Sequence, residues 1–295
     1  MTVQEACDKY MAHIGRAKTR RTAEAYQLTL SKFAEAFGGL DVAGLDPDAV
    51  GGWFAGRWGK GSAQGWNANR AALTGAAAWW RDQPDIPVTV SPFTRIGRRK
   101  LPKDSDRALD RALIERLLTS QRIPLRERCF WSLLYDTAAR SAEVLRLDVE
   151  DLDLVNHRAD VTRKGGKPDT IVWRTRTARL LANYLEGRAH GPLFVTERAA
   201  RSDVIVGPAD LDDRGRARLT YKQAEDLFKA AAGGATLHQL RHSALTHDAE
   251  DGTSVPMLMR KSGHDSIRSL GRYARPGLEA LMRHQRETDP ERRGR

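Results

Sequence analysis

The sequence is poor in cysteine, with only Cys7 and Cys129 in 295 residues. Two distant thiols cannot build a disulfide framework or a cysteine-rich metal site, so both read as core thiols of a protein kept in a reducing compartment. Long apolar runs are also missing. The first twenty residues already carry Glu5, Asp8, Lys9, Arg16, Lys18 and Arg20, so no secretory signal is legible, and no later stretch has membrane-spanning length. There is no internal repeat and neither of the two usual glycine fingerprints for nucleotides. Between Ser91 and Lys103 there is no acidic residue.

What is present is positive charge, with 49 Lys and Arg against 38 Asp and Glu and a formal net charge of +11. A field of that sign favours polyanionic partners. It does not by itself separate DNA from RNA or from an anionic membrane. Charged residues make up 29% and apolar ones 40%, a balance that suits a chain with a real core rather than a disordered basic tail. The length suits two ordinary domains.

The N-terminal third reads as short helices. Thr22 is placed to cap a helix carrying Tyr26, Leu30, Phe33 and Phe37, ended by Gly38-Gly39. Asp46-Pro47 is a cap and first-turn pair for a helix with Val50, Trp53 and Phe54. A glycine-rich break at 59–65 precedes a fourth helix through Trp66, Leu73 and Trp80, so residues 1–90 read as a helical bundle. Pro84, Pro87, Pro92 and Pro102 then discourage helix. Residues 91–106 read as a basic linker, in which Arg95, Arg98, Arg99, Lys100 and Lys103 would face an anionic backbone.

Residues 107–295 form the second expected domain. Asp106 would cap a helix with Leu109, Leu113 and Leu117, and further helices are expected over about 125–136 and after Arg140. The period then changes. Leu152–Val155, Ala159–Arg163 and Thr170–Trp173 read as strand pieces, with the turn Lys164-Gly165-Gly166-Lys167-Pro168-Asp169 between the last two. Residues 197–218 read as a loop, and the remainder as helices. The expected fold is therefore mainly α with a small β-sheet.

Four features of this domain carry chemistry. They are Thr137-Ala138-Ala139-Arg140-Ser141-Ala142-Glu143-Val144-Leu145-Arg146-Leu147; Lys164 at the hairpin turn; His238-Gln239-Leu240-Arg241-His242; and Gly263-His264 followed by Tyr273. On a helix begun near Thr236, His238 and Arg241 lie on one face. Each feature alone has an ordinary reading: a half-buried histidine, a helix-end arginine in a salt bridge, a solvated turn lysine, a packed tyrosine.

Their order and spacing resemble the catalytic domain of tyrosine recombinases, the phage-integrase family that includes the Xer enzymes. The family's TGLRxSELxxL motif aligns with Thr137–Leu147, with Ala138-Ala139 in place of Gly-Leu. Its hairpin lysine falls on Lys164, with Arg163 where glycine is usual. Its HxLRH segment is His238–His242, its LGH segment is Ser262-Gly263-His264, and its nucleophile nine residues later is Tyr273. The likeness covers about 107–283. The bundle looks like the family's core-binding domain by helical content and position alone.

The resemblance implies a mechanism. Arg140 and Arg241 would hold the non-bridging oxygens of a phosphodiester, a task suited to permanently charged, bidentate guanidiniums. Tyr273 would attack phosphorus to give a 3′-phosphotyrosyl ester, with His238 as general base, Lys164 as the acid that protonates the leaving 5′ oxygen, and His264 as a donor to the phosphate. The ester conserves bond energy, so no ATP, metal or other cofactor is expected. Lys167, Arg174 and Arg176 are further candidate DNA contacts.

The implied partner is double-stranded DNA, engaged by a tetramer on paired sites or with a related recombinase. Leu278, Leu281 and Met282 would form a helix passed to the neighbour. A cytoplasmic, nucleoid-associated setting follows. With no separate arm-binding domain legible ahead of the bundle, a simple Xer-like or mobile-element enzyme is expected. A type IB topoisomerase shares the ester chemistry, and a catalytically silent DNA-binding or architectural protein is the alternative from another class; Ala138, Ala139 and Arg163 keep the latter open.

Overall fold

The computed structural model describes residues 1–17, 20–101, 108–163, 165–201, 206–271 and 278–289. Its contacts divide the chain into two units, Met1–Lys103 and Asp104–Arg295.

The first unit rests on four helices, α1 (Val3–Ala17), α2 (Arg20–Phe37), α3 (Pro47–Trp58) and α4 (Ala63–Arg81). Helix α1 buries Val3, Ala6, Cys7, Tyr10 and Ile14, the three-and-four spacing of one helical face. Asp46 caps α3 by accepting from the backbone N–H groups of Asp48 and Ala49, with Pro47 at the first helical position as its fixed φ favours. Helix α2 begins at Arg20, so Thr22 lies inside its first turn and not ahead of it. Phe33, Phe54, Leu73 and Trp80 fill the centre, and the Trp80 indole donates to the Ala6 carbonyl at 2.9 Å.

Residues 91–101, the first part of the expected linker, pack on this unit. Phe93 and Ile96 are buried in its core. Trp66 Nε1 donates to Gly97 O at 2.8 Å, and the Asn67 amide both donates to Arg99 O (2.8 Å) and accepts from Arg99 N (2.9 Å). The proline and arginine content rules out helix, but the two apolar side chains drive the strap inward.

In the second unit the helices are α5 (Arg111–Thr119), α6 (Leu125–Thr137), α7 (Ser141–Val144), α8 (Thr175–Leu185), α9 (Tyr221–Ala231), α10 (Leu237–Glu250), α11 (Val255–Ser262), α12 (Ile267–Leu270) and α13 (Leu278–Thr288). The cap of α5 is Asp110, which accepts from Ala112 and Leu113 N–H; Asp106 lies outside the described residues. One antiparallel sheet runs β1 (Leu152–Asp153), β2 (Arg158–Thr162), β3 (Pro168–Val172), with Thr162 opposite Pro168 across the turn. The stretch read as a loop over 197–218 instead carries the ends of a second two-stranded sheet, β4 (Val195–Ala199) and β5 (Arg216–Arg218). Asp212 closes it by accepting from Arg214 and Arg216 N–H, a side-chain turn that the many polar residues of this segment concealed.

The unit's core joins Phe130, Trp131 and Leu134 of α6 to Leu181 of α8, Phe228 of α9 and Leu240 of α10. Cys7 and Cys129 are both buried, and burial pushes the Cys7 thiol up to about 12 and Cys129 higher still. No helix among the described residues is long and apolar enough to cross a membrane.

Candidate active site

Helix α6 ends at Ala138, whose backbone is left-handed (φ +47°). That turn is the place where a helix ordinarily takes glycine. It redirects the chain so that Arg140 becomes the N-cap of α7. The Arg140 backbone N–H donates to Glu143 Oε2 at 2.9 Å and its guanidinium donates to Oε1 at 2.8 Å. The Arg140 side chain is 38% exposed while that of Glu143 is 5% exposed, so the carboxylate is the buried anchor and the arginine the accessible group.

Glu143 has a second cation. Arg163, at the end of β2, donates from Nη1 to Glu143 Oε2 at 2.6 Å, from Nε to Asp169 Oδ2 at 2.8 Å and from Nη2 to Lys261 O at 3.3 Å. Burial opposes ionisation of Glu143, but the hydrogen bonds from Arg140 and the charge of Arg163 outweigh it and hold the carboxyl below its usual range. Asp169 also ion-pairs with Arg260.

Helix α10 starts from a reciprocal cap in which Thr236 Oγ1 accepts from Gln239 N–H and Gln239 Oε1 accepts from Thr236 N–H. One turn in, Arg241 is buried at 5% exposure. It donates to the carbonyl of Ala138 and, at 2.9 Å, to that of Ser262. The α6–α7 turn and the end of α11 are thus tied to one guanidinium. Gly263 closes α11 in a left-handed conformation. His264 follows, with Nδ1 2.7 Å from Ser262 Oγ. Burial first, then the charges of Arg241, Arg140 and Arg163, push this imidazole down to about 4. Arg241 is bonded to the Ser262 carbonyl, Arg163 packs on Gly263, and Arg140 lines one cavity with Gly263 and Asp265, so three guanidiniums flank this turn. An open cavity of about 280 Å³ lies here, lined by Arg140, Arg163, Lys167, Pro168, Asp169, Gly263 and Asp265.

The structure therefore brings Arg140, Arg241 and His264 into one electrostatic neighbourhood, with Lys167 on the cavity wall 3.7 Å from Asp265. His238 is exposed in the first turn of α10 and does not line the cavity. Lys164 and Tyr273 lie outside the described residues, as does Lys103. Elsewhere, Arg174 reaches toward Asp136 (4.0 Å) and Asp248 (3.5 Å) while remaining 65% exposed, and Arg176 pairs with Glu115 at 2.8 Å. Arg95 pairs with Asp48 at 2.7 Å, and Arg98 and Lys100 are exposed. Arg99 is committed within its unit: its guanidinium lies 3.8 Å from the Trp66 ring centre and donates to Gly59 O at 2.9 Å. Among the described residues no group of three or more His, Cys, Asp or Glu side chains is placed to hold a metal ion.

Sequence reasoning missed Glu143, Arg163 and Ser262. Glu143 had a signal in its three-residue spacing from Arg140, which a capping carboxylate requires. Arg163 and Ser262 are assembled only by tertiary packing.

Comparison with known proteins bears on the whole arrangement. Residues 107–278 match the model of the phage integrase family, which is more than half of the chain. The chain belongs to the phage integrase family of tyrosine recombinases. Within that family it is Xer-like. It is 28% identical over 291 residues to tyrosine recombinase XerC of Mycobacterium sp. (strain KMS), covering 92% of this chain and 93% of the relative. Against XerC of Mycobacterium leprae the identity is 31% over 248 residues, 78% of each. The match to XerC of Pelobacter propionicus is shorter, 28% over 188 residues, and spans 59% of that protein. Among solved structures, the Tn1549 transposon integrase in complex with circular intermediate DNA shares the fold with a TM-score of 0.71 at 16% identity, over 97% of this chain and 99% of that one. A lambda integrase dimer bound to a core site gives 0.70 at 15%, over 90% and 96%.

Proposed function

We propose that the chain is a site-specific DNA recombinase that cuts and rejoins strands through a 3′-phosphotyrosyl link at Tyr273. The observation that carries this reading is geometric: Arg140 and Arg163 line one open cavity with Gly263, the neighbour of His264, and Arg241 is bonded to the Ser262 carbonyl just before it, a cationic seat suited to a phosphate. A phosphodiester seated there would face Arg140 from the open side, while Arg241 holds the two turns that frame it. Family membership supports assigning the remaining roles by position, with Tyr273 as nucleophile, Lys164 as acid and His238 as base. The exposure of His238 suits a group that meets its substrate only when DNA arrives.

Duplex DNA is the partner that the relatives' complexes and the +11 charge both support. Arg95, Arg98, Lys100, Lys167, Arg174 and Arg176 would contact phosphates; the ion pairs of Arg95, Lys167 and Arg176 are surface pairs, exchangeable for phosphate at small cost. Arg99 would contribute by shaping its strap. Leu281 and Met282, 51% and 46% exposed on α13, support a helix that docks on a neighbouring protomer, and a tetramer on paired sites is the assembly this favours. The cytoplasmic nucleoid is the matching location.

The test uses a duplex selected by the chain from a randomised pool and nicked near the scissile bond, so that a cut strand is lost and the intermediate is trapped. A covalent protein–DNA adduct is expected on a denaturing gel with the native chain and none with Tyr273→Phe. No adduct on a demonstrated binding site would assign the chain to silent DNA binding. Relaxation of plasmid lacking paired sites would assign it to the topoisomerases.

A further inference from the structure

A buried arginine stands beside the site without a role in the reading above. Arg163 is 7% exposed, yet it reaches three acceptors on three elements: Glu143 on α7, Asp169 on β3 and the Lys261 carbonyl on α11. Its own backbone closes the hairpin, donating to Lys167 O at 2.8 Å and accepting from Gly166 N at 3.1 Å. The guanidinium lies against Gly263, where any β-carbon would stand 2.7 Å from Nε. The next residue in the chain is Lys164.

We infer that Arg163 is a positioning residue that locks the lysine-bearing hairpin to the phosphate seat, through Glu143 to Arg140 and through Lys261 to the turn before His264. Its chemistry suits this and no direct catalytic part. A guanidinium is a rigid fork of donors, and here each of its three nitrogens already has an acceptor, two of them carboxylates, so the group is committed to holding these elements together and cannot give up a proton at neutral pH. What it fixes is relative position. Arg140 and Arg163 share the Glu143 carboxylate, so a displaced Arg163 releases one grip on the carboxylate that aims Arg140. A displaced hairpin moves the starting point of Lys164.

The inference rests on the proposed reaction, and its test separates the two. In the cleavage step the Tyr273 oxygen forms a bond to phosphorus, the bond from phosphorus to the 5′ oxygen breaks, and the departing oxygen takes its proton from Lys164 while the tyrosine proton passes to His238. Replacing the bridging 5′ oxygen by sulfur removes the need for that proton, because a thiolate leaves unaided. Cleavage rates are measured on the selected duplex in its oxygen and sulfur forms, with the full chain. Arg163→Ala is expected to slow oxygen cleavage on the order of 100-fold, the scale of an ångström-sized misplacement, and to recover most of that loss on sulfur. Arg163→Lys, which keeps the charge and is the milder test of folding, is expected to show a smaller loss with the same recovery. Equal loss on both substrates for both variants would overturn the positioning role and leave Arg163 a stabilising residue only. Lys164→Ala is the internal reference: failure of sulfur to rescue it would overturn the acid role of Lys164 itself, and the inference with it.

Discussion

The guanidinium of Arg163 occupies the space that a side chain on Gly263 would need. A β-carbon there would lie 2.7 Å from Nε and 2.9 Å from the guanidinium carbon, and Gly263 also has φ +63°. Space and backbone thus demand glycine independently at the residue before His264.

Gly263→Ala is accordingly expected to cost about 2–4 kcal/mol, combining roughly 1 kcal/mol for the left-handed backbone with the cost of overpacking. Denaturant unfolding of the second unit measures it. A loss under about 1 kcal/mol would mean that Arg163 yields without penalty.

Arg140 and Arg241 are expected to separate in stability while agreeing in activity. Each replaced by alanine should lower covalent adduct formation on the order of 100- to 1000-fold, as for loss of one donor to developing charge. Arg140→Ala should leave stability within about 1 kcal/mol, because Glu143 keeps Arg163 and the lost pair is partly exposed. Arg241→Ala should cost on the order of 3 kcal/mol, because two buried carbonyls lose their charged donor. Paired melting and adduct assays decide between this and equal costs.

His264 supplies a pH prediction. Its folded value, about 4, lies below the free value of 6.5, so protons favour the unfolded chain. Its contribution to stability is complete above about 6.5 and is lost as pH falls toward 4. His264→Gln should flatten that part of the stability profile; the lowered His247 retains a slope of its own in the same direction. Adding the selected DNA should raise the His264 value, since phosphate offsets Arg241 and Arg140, and histidine-resolved NMR titration reads both states.

Phe93 tests the packing of the strap over 91–101. As a core residue of the first unit, its replacement by alanine should cost about 3–5 kcal/mol. Five of the seven tryptophans, Trp53, Trp58, Trp66, Trp79 and Trp80, lie in that unit and Trp131 and Trp173 in the other, so tryptophan fluorescence during unfolding is weighted toward the first unit. A residue of a free linker would leave the midpoint unchanged.

That segment also shows where local reading stops. Asp46-Pro47 and the Thr236/Gln239 pair declare their helix starts because a cap is a contact between residues two or three apart. The mainly helical fold was legible for the same reason, whereas Arg140, Arg241 and His264 were singled out by the resemblance of their motifs, in order and spacing, to those of tyrosine recombinases. Phe93 and Ile96 sat in view among the prolines and arginines, yet their burial depends on a surface dozens of residues earlier in the chain. Glu143 was visible as a third-position carboxylate, while its second partner was not. Arg163 looked like a departure from a glycine, and only the fold reveals that Glu143, Asp169 and Lys261 converge on it.

The central claim is tested most directly by locating the covalent bond. Trypsin cuts after Arg272 and is blocked at Arg275-Pro276, so the peptide 273–283 isolates the nucleophile. After trapping on the nicked duplex and nuclease trimming, mass spectrometry is expected to find a nucleotide remnant on Tyr273 of that peptide, linked through its 3′ phosphate. A remnant on any other residue, or a 5′ linkage, would contradict the account.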